Sequence, residues 1–168
     1  MKKVIQLILV LFLPFSGSTQ LNEYEVRQMT QSATEDQLII ESSRMLQEGY
    51  FYFSEIVVDR LLQLNSTSPN YNYRKGYIIL DSRQDWIAAI PYFLIAITDI
   101  DKNYDMYSSK EKSAPTDAYY HLARCYHLDE QLDKAKEYYS KFINESGSKS
   151  ELITKAQIRL QQCDVAKE

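Results

Sequence analysis

At 168 residues, 45% hydrophobic and 25% charged, the chain is long enough for one domain with a real core, too short for two ordinary ones and too apolar to be mainly disordered. A net charge of −4 with no basic run argues against nucleic-acid binding, and four glycines and four prolines are few for an all-β protein dense in turns. Fourteen tyrosines point to surfaces that are both apolar and hydrogen-bonding.

Residues 1–20, MKKVIQLILVLFLPFSGSTQ, read as a secretory signal peptide: Lys2 and Lys3 precede an apolar run from Val4 to Phe15, and small residues follow from Ser16 to Thr19. The apolar run falls short of the roughly 20 residues a spanning helix needs. No cysteine follows it, so a lipid-modified N-terminus is not expected. Cleavage between Ser18 and Gln20 would leave a mature domain of 21–168 with its charge moved from −4 to −6.

Helical patterning fills the remainder. A leading helix is expected over 22–32, then hairpins at 35–48/50–64, 70–82/85–101 and 116–128/131–145. A capping helix at 149–164 would hold Leu152, Ala156 and Leu160 on one side. Glu55 to Val58, EIVV, has strand propensity, which the helical register overrides. Pro91 falls inside a helix and should bend it. Residues 103–115, NYDMYSSKEKSAP, read as an inserted polar surface loop, with Pro115 or Thr116 opening the next helix.

A spacing recurs through these hairpins. Ala123, Tyr126, Ala135, Tyr139 and Phe142 stand at offsets 0, 3, 12, 16 and 19. Gly76, Ile79, Ala88, Tyr92 and Ile95 repeat it 47 residues earlier, and Ser42, Met45, Ser54, Val58 and Leu61 a further 34 earlier. Small residues at the first and third places let two antiparallel helices approach, and bulky ones fill the flanks.

This pattern resembles the tetratricopeptide repeat (TPR), over 36–149. The resemblance implies an all-α solenoid of about three helical hairpins plus the C-terminal capping helix. The third copy matches best, through Tyr119, Leu122, Ala123, Tyr126, Ala135 and Tyr139. The first departs most, with Ser42 and Ser54 at the small positions and Val58 where an aromatic is usual. TPR domains that clamp a terminal carboxylate carry Lys and Asn where this chain has Ile39 and Ser43, so that mode is not implied. DWIAAIPYFLIAI, followed by the insert and KSAPTDAYYHLARCYHLDEQLDKAKEYYSKFI, is similar to the N-terminal repeat region of Gram-negative envelope proteins. In those, the repeats precede a β-propeller and an OmpA-like domain, and some relatives belong to a type IX secretion and motility apparatus. Neither of those domains lies in these residues, so wall binding is not carried over.

Catalytic patterns are lacking: no HExxH, paired CxxC, GxSxG or Gly-rich phosphate loop occurs. His121 and Cys125 share a helical face but are too few for a metal site. Neither an enzyme, a cofactor nor a small-molecule substrate is expected. Cys125 and Cys163 lie on helices that should stack, which leaves a disulfide and two buried thiols both open. A solenoid binds along a concave groove lined by first helices. Here that places Asn70, Tyr73, Tyr77, Asp117, Tyr120, Arg124 and His127 in the groove, with Tyr77 and Arg124 facing solvent. The expected function is a periplasmic protein-interaction scaffold with a protein partner in the cell envelope and only indirect membrane association. The alternative is a peptide- or glycan-binding module using the tyrosines.

Overall fold

The computed structural model describes residues 22–146 and 152–165, so the expected signal peptide lies outside the described residues. Helix α1 (Glu23–Ser32) starts where Asn22 Oδ1 accepts from the Glu25 amide at 2.9 Å. Helix α2 (Glu35–Gln47) opens on a capping box of Thr34 and Gln37, and α3 (Phe51–Leu64) returns antiparallel to it. Helix α4 (Pro69–Ile78) has Ser68 as cap and Pro69 in its first turn, and it runs into a π-helical turn, Ile79–Arg83. Helix α5 (Trp86–Ala96) is capped by Asp85, and it contains Pro91. Helices α6 (Asp117–Leu128) and α7 (Leu132–Glu145) form the third hairpin, and α8 (Leu152–Val165) packs on α7 and α6. Glu55 to Val58 are helical, within α3.

Each hairpin turns through one left-handed residue: Gly49 (φ 79°), Gln84 (φ 54°) and Glu130 (φ 57°). Only the first is glycine, which takes this conformation without a Cβ penalty. In the outer pairs the small residues lie inside the hairpins as their spacing implied. Ser54 Oγ donates to the Ser42 carbonyl at 3.2 Å, and Ala123 and Ala135 are both fully buried.

The middle hairpin departs from the expected register. Ala89, Phe93 and Ala96 are fully buried, whereas Ala88, Tyr92 and Ile95 are only partly so. The π turn accounts for the shift, because it takes up one extra residue and moves every later position of α5 on by one. Gly76 therefore meets a ring instead of a small residue: a Cβ there would stand 3.0 Å from Phe93 Cε1 and Cζ. The second helix of this pair also ends at Ala96, short of the expected 101. Residues Ile100–Asp101 (β1) form a two-residue parallel bridge with Ala114–Pro115 (β2), tying the two ends of the insert together.

Among the described residues three apolar clusters make the core, the first around Leu38, Ile39, Val57 and Leu61, the second around Phe93, Leu122, Tyr139 and Phe142, and a small third of Ala96, Ala114 and Ala118. Between the first two hairpins, Lys75 Nζ on α4 donates to Glu55 Oε1 at 2.7 Å and also pairs with Asp59, while Arg83 pairs with Glu55. Leu152, Ala156 and Leu160 of α8 close the second cluster, with Ala156 fully buried. Both cysteines are free thiols. Cys125 is buried and its thiol is pushed up to about 12 by desolvation, while Cys163 Sγ lies 3.6 Å from His127 Nδ1.

Replacing Ala135 by Leu adds three carbons where the structure leaves no exposed surface. The variant should lose about 1–3 kcal/mol in urea unfolding. An unchanged midpoint would contradict the tight α6–α7 crossing.

Candidate binding groove

The first helices of the hairpins, α2, α4 and α6, line one face together with α8, and they enclose a groove of about 990 Å³. Tyr73 and Tyr77 of α4 and Asp117, Tyr120 and Arg124 of α6 all line it, as their helical spacing implied. Asn70 and His127 do not. Asn70 is fully buried beneath the insert, where its side-chain amide donates to the Glu111 carbonyl at 2.9 Å and its Oδ1 accepts from Arg74 Nε at 2.7 Å. His127 falls at the end of α6 that α8 covers, against Cys163 and the Tyr139 ring. Tyr77 and Arg124 are half-buried, not solvent-facing as the register suggested.

The insert is not a free surface loop. Arg74 Nη2 donates to the Met106 carbonyl at 2.8 Å, the Asn70 amide to the Lys112 carbonyl at 3.3 Å, and Tyr104 Oη to Asn70 Oδ1 at 3.1 Å. Ser43 Oγ also donates to Met106, and Tyr107 Oη to Gln47. At the surface Lys110 pairs with Asp36 at 3.1 Å and Lys112 with Glu35 at 3.5 Å. The segment thus fills the α2 end of the concave face and presents Tyr104, Met106 and Tyr107 as a wall of the remaining groove. Composition marked this stretch as polar loop. No periodic signal revealed that its own main chain would be held.

Aromatic rings make the floor. Tyr73 and Tyr77 stack at 6.3 Å between centroids, Tyr77 meets the His121 edge at 5.3 Å, and His121 stacks on Phe93 at 5.7 Å. His121 was missed as a groove residue, although it lies four residues after Asp117 and three before Arg124, on the same helical stripe. Lys155 and Arg159 also line the groove, from a helix whose spacing implies only a cap. Leu152, Lys155 and Arg159 follow one another at helical spacing and all line the groove.

Electrostatically the site is uneven. Arg124 Nη1 reaches Asp81 Oδ1 at 3.5 Å and approaches His121 Nδ1 at 3.4 Å. Burial raises the pKa of Asp117. Burial among the rings, with the Arg124 charge alongside, holds His121 down to about 3. Among the described residues no group of three His, Cys, Asp or Glu side chains could hold a metal, and no helix is long and apolar enough to cross a membrane.

The depressed His121 pKa gives a pH signature. Unfolding returns the ring to its ordinary value near 6.5, so between about pH 6.5 and 3 the unfolded chain binds a proton that the folded chain does not. Stability from this group is complete above that window and lost as pH falls through it. His121→Phe keeps a ring in the stack and removes the titration, so its melting temperature should fall less steeply from pH 6.5 to 4 than that of the wild type. Parallel curves would contradict the burial of a neutral imidazole.

No family model matches the chain, and no curated protein matches it by sequence. Among solved structures it is similar to the Yersinia enterocolitica type III secretion chaperone SycD in complex with a peptide of the translocator YopD. The two share 17% identity at a TM-score of 0.60, over 79% of this chain and 94% of that one. At that identity the likeness concerns the fold, which is a TPR-like helical-repeat array.

Proposed function

We propose that this protein is a non-catalytic interaction module that holds a segment of a partner protein in its concave groove. The observation that carries the reading is the insert itself: the first-helix side chains Arg74, Ser43 and Asn70 already hold an irregular stretch of main chain by its carbonyl oxygens. Side chains that bind backbone in this way suit a peptide segment, as in the extended-peptide grooves of other recognition modules. The solved neighbour is a chaperone in complex with a peptide, which supports the same reading. A glycan is less well served, because Tyr73 and Tyr77 turn their ring faces on each other at an interplanar angle of 24°.

The location belongs to the same proposal. The basic, apolar and small-residue sequence of residues 1–20 supports export to the periplasm, and the resemblance to envelope repeat regions supports a scaffold role in an outer-membrane or secretion and motility assembly.

One experiment addresses partner and place together. Tagged protein is crosslinked in cells and recovered from the periplasmic fraction, with its mature N-terminus read by mass spectrometry. Trimming near Ser18 to Gln20 and a stoichiometric partner are expected. Arg124→Ala and Tyr77→Ala should each weaken partner capture by more than about 1 kcal/mol, with helicity retained, while Gln63→Ala on exposed α3 surface should not. Retention in the cytoplasm with an intact N-terminus would sink the envelope role. Capture indifferent to both groove substitutions would sink the groove reading.

A further inference from the structure

The open half of the groove carries a charge bias opposite to that of the chain. The protein as a whole is at −4, yet the groove lining holds four cations, Arg74, Arg124, Lys155 and Arg159, against two carboxylates, Asp81 and Asp117. Arg74 is committed to holding the insert. The other three face the open space. Among the described residues Arg124 has one ion pair, a long one with Asp81 at 3.5 Å, compared with 2.7 Å for the surface pair of Arg27 and Glu23. Lys155 and Arg159 stand one turn apart on α8 and form no ion pair among the described residues. Their side chains border the apolar floor of Tyr73, Tyr77 and Tyr120. Tyr104 and Met106 of the insert wall the same groove, whose α6 and α8 sides carry Arg124, Lys155 and Arg159.

From this we infer that the groove takes a short acidic segment of a partner protein, its carboxylates set against Arg124, Lys155 and Arg159 and a neighbouring apolar side chain seated on the tyrosine floor. This rests on the protein-binding reading of the groove and adds the chemistry of the occupant. A carboxylate suits the site because guanidinium and ammonium groups over a partly desolvated floor gain more from a full charge than from a neutral amide. Of the two lining carboxylates, Asp81 is already set against Arg124 and the burial of Asp117 disfavours its charge.

The test uses the purified chain and fluorescein-labelled heptapeptides in which leucine alternates with glutamate, glutamine or lysine. Fluorescence anisotropy should show the glutamate peptide binding at least tenfold more tightly than the glutamine peptide, and the lysine peptide not at all. Raising salt from about 50 to about 500 mM should weaken the glutamate complex, since these cations are partly exposed. The double change Lys155→Glu with Arg159→Glu should lower its affinity at least tenfold, while circular dichroism stays as in the wild type. Should the double change disturb the fold, Lys155→Gln with Arg159→Gln gives the same comparison without reversed charge. Equal binding of the glutamate and glutamine peptides would overturn the acidic assignment and leave the protein-binding groove standing. Failure of every peptide to bind, indifference to both α8 double changes, or tighter binding of a single-stranded oligothymidine of matched charge would also overturn it. The protein-binding reading itself falls only if Tyr77→Ala and Arg124→Ala leave partner capture unchanged.

Discussion

Arg74 holds together parts of the chain that have no other reason to meet. Its side chain is almost fully buried, and every oxygen it reaches is neutral: Asn70 Oδ1 at 2.7 Å, Ser42 Oγ at 2.8 Å, Ser43 Oγ at 2.6 Å, Tyr104 Oη at 3.5 Å, and the main-chain carbonyls of Ile39 at 3.2 Å and Met106 at 2.8 Å. A guanidinium taken out of water without a carboxylate is tolerable only when its whole fork of donors is satisfied. Hydrogen bonds to a charged group contribute about 1.5–3 kcal/mol each, and a missing acceptor costs on the same scale. The acceptors come from α2, from α4 and from the insert, so satisfying one side chain fixes all three. The insert is therefore a structural part of the concave face.

That constraint shapes what the groove can do. With its α2 end occupied by the protein's own main chain, the open length is set by the insert wall on one side and by α8 on the other. The floor between them is aromatic and rigid, because the rings of Tyr73, Tyr77, His121 and Phe93 are packed edge and face against one another. A preformed floor of this kind loses little conformational freedom on binding, which favours affinity per unit of contact. Phe93 itself fits against Gly76 only because no Cβ stands between them.

Much of this fold could be read from residue spacing. The boundaries and small crossing positions of the outer hairpins and the apolar side of α8 all follow from 3.6-residue periodicity. The middle hairpin could not be read so closely, because a π turn adds a residue without changing composition or hydrophobicity. Ala88 and Ala89, equally small and adjacent, gave no means of choosing between registers. Five of the seven residues expected in the groove line it. Asn70 and His127 fail for tertiary reasons: one is covered by an insert whose fold depends on Arg74, the other by a helix whose placement depends on Ala156 and Cys163. Lys155 and Arg159 form a basic wall because α8 turns a second side to the groove, while Leu152, Ala156 and Leu160 serve the core.

Hydrogen exchange followed by mass spectrometry, comparing wild type with Arg74→Ala, tests the central role of this side chain most directly. In the wild type the segment 102–114 should be protected well beyond the rates of an unstructured chain, since the amides of Tyr104, Ser108, Glu111 and Ala114 are hydrogen-bonded and the Met106 carbonyl is anchored by Arg74. In Arg74→Ala exchange across that segment should rise at least tenfold while α6 and α7 keep their protection. Unchanged protection of the insert in the variant, or an equal loss across every helix, would contradict the account.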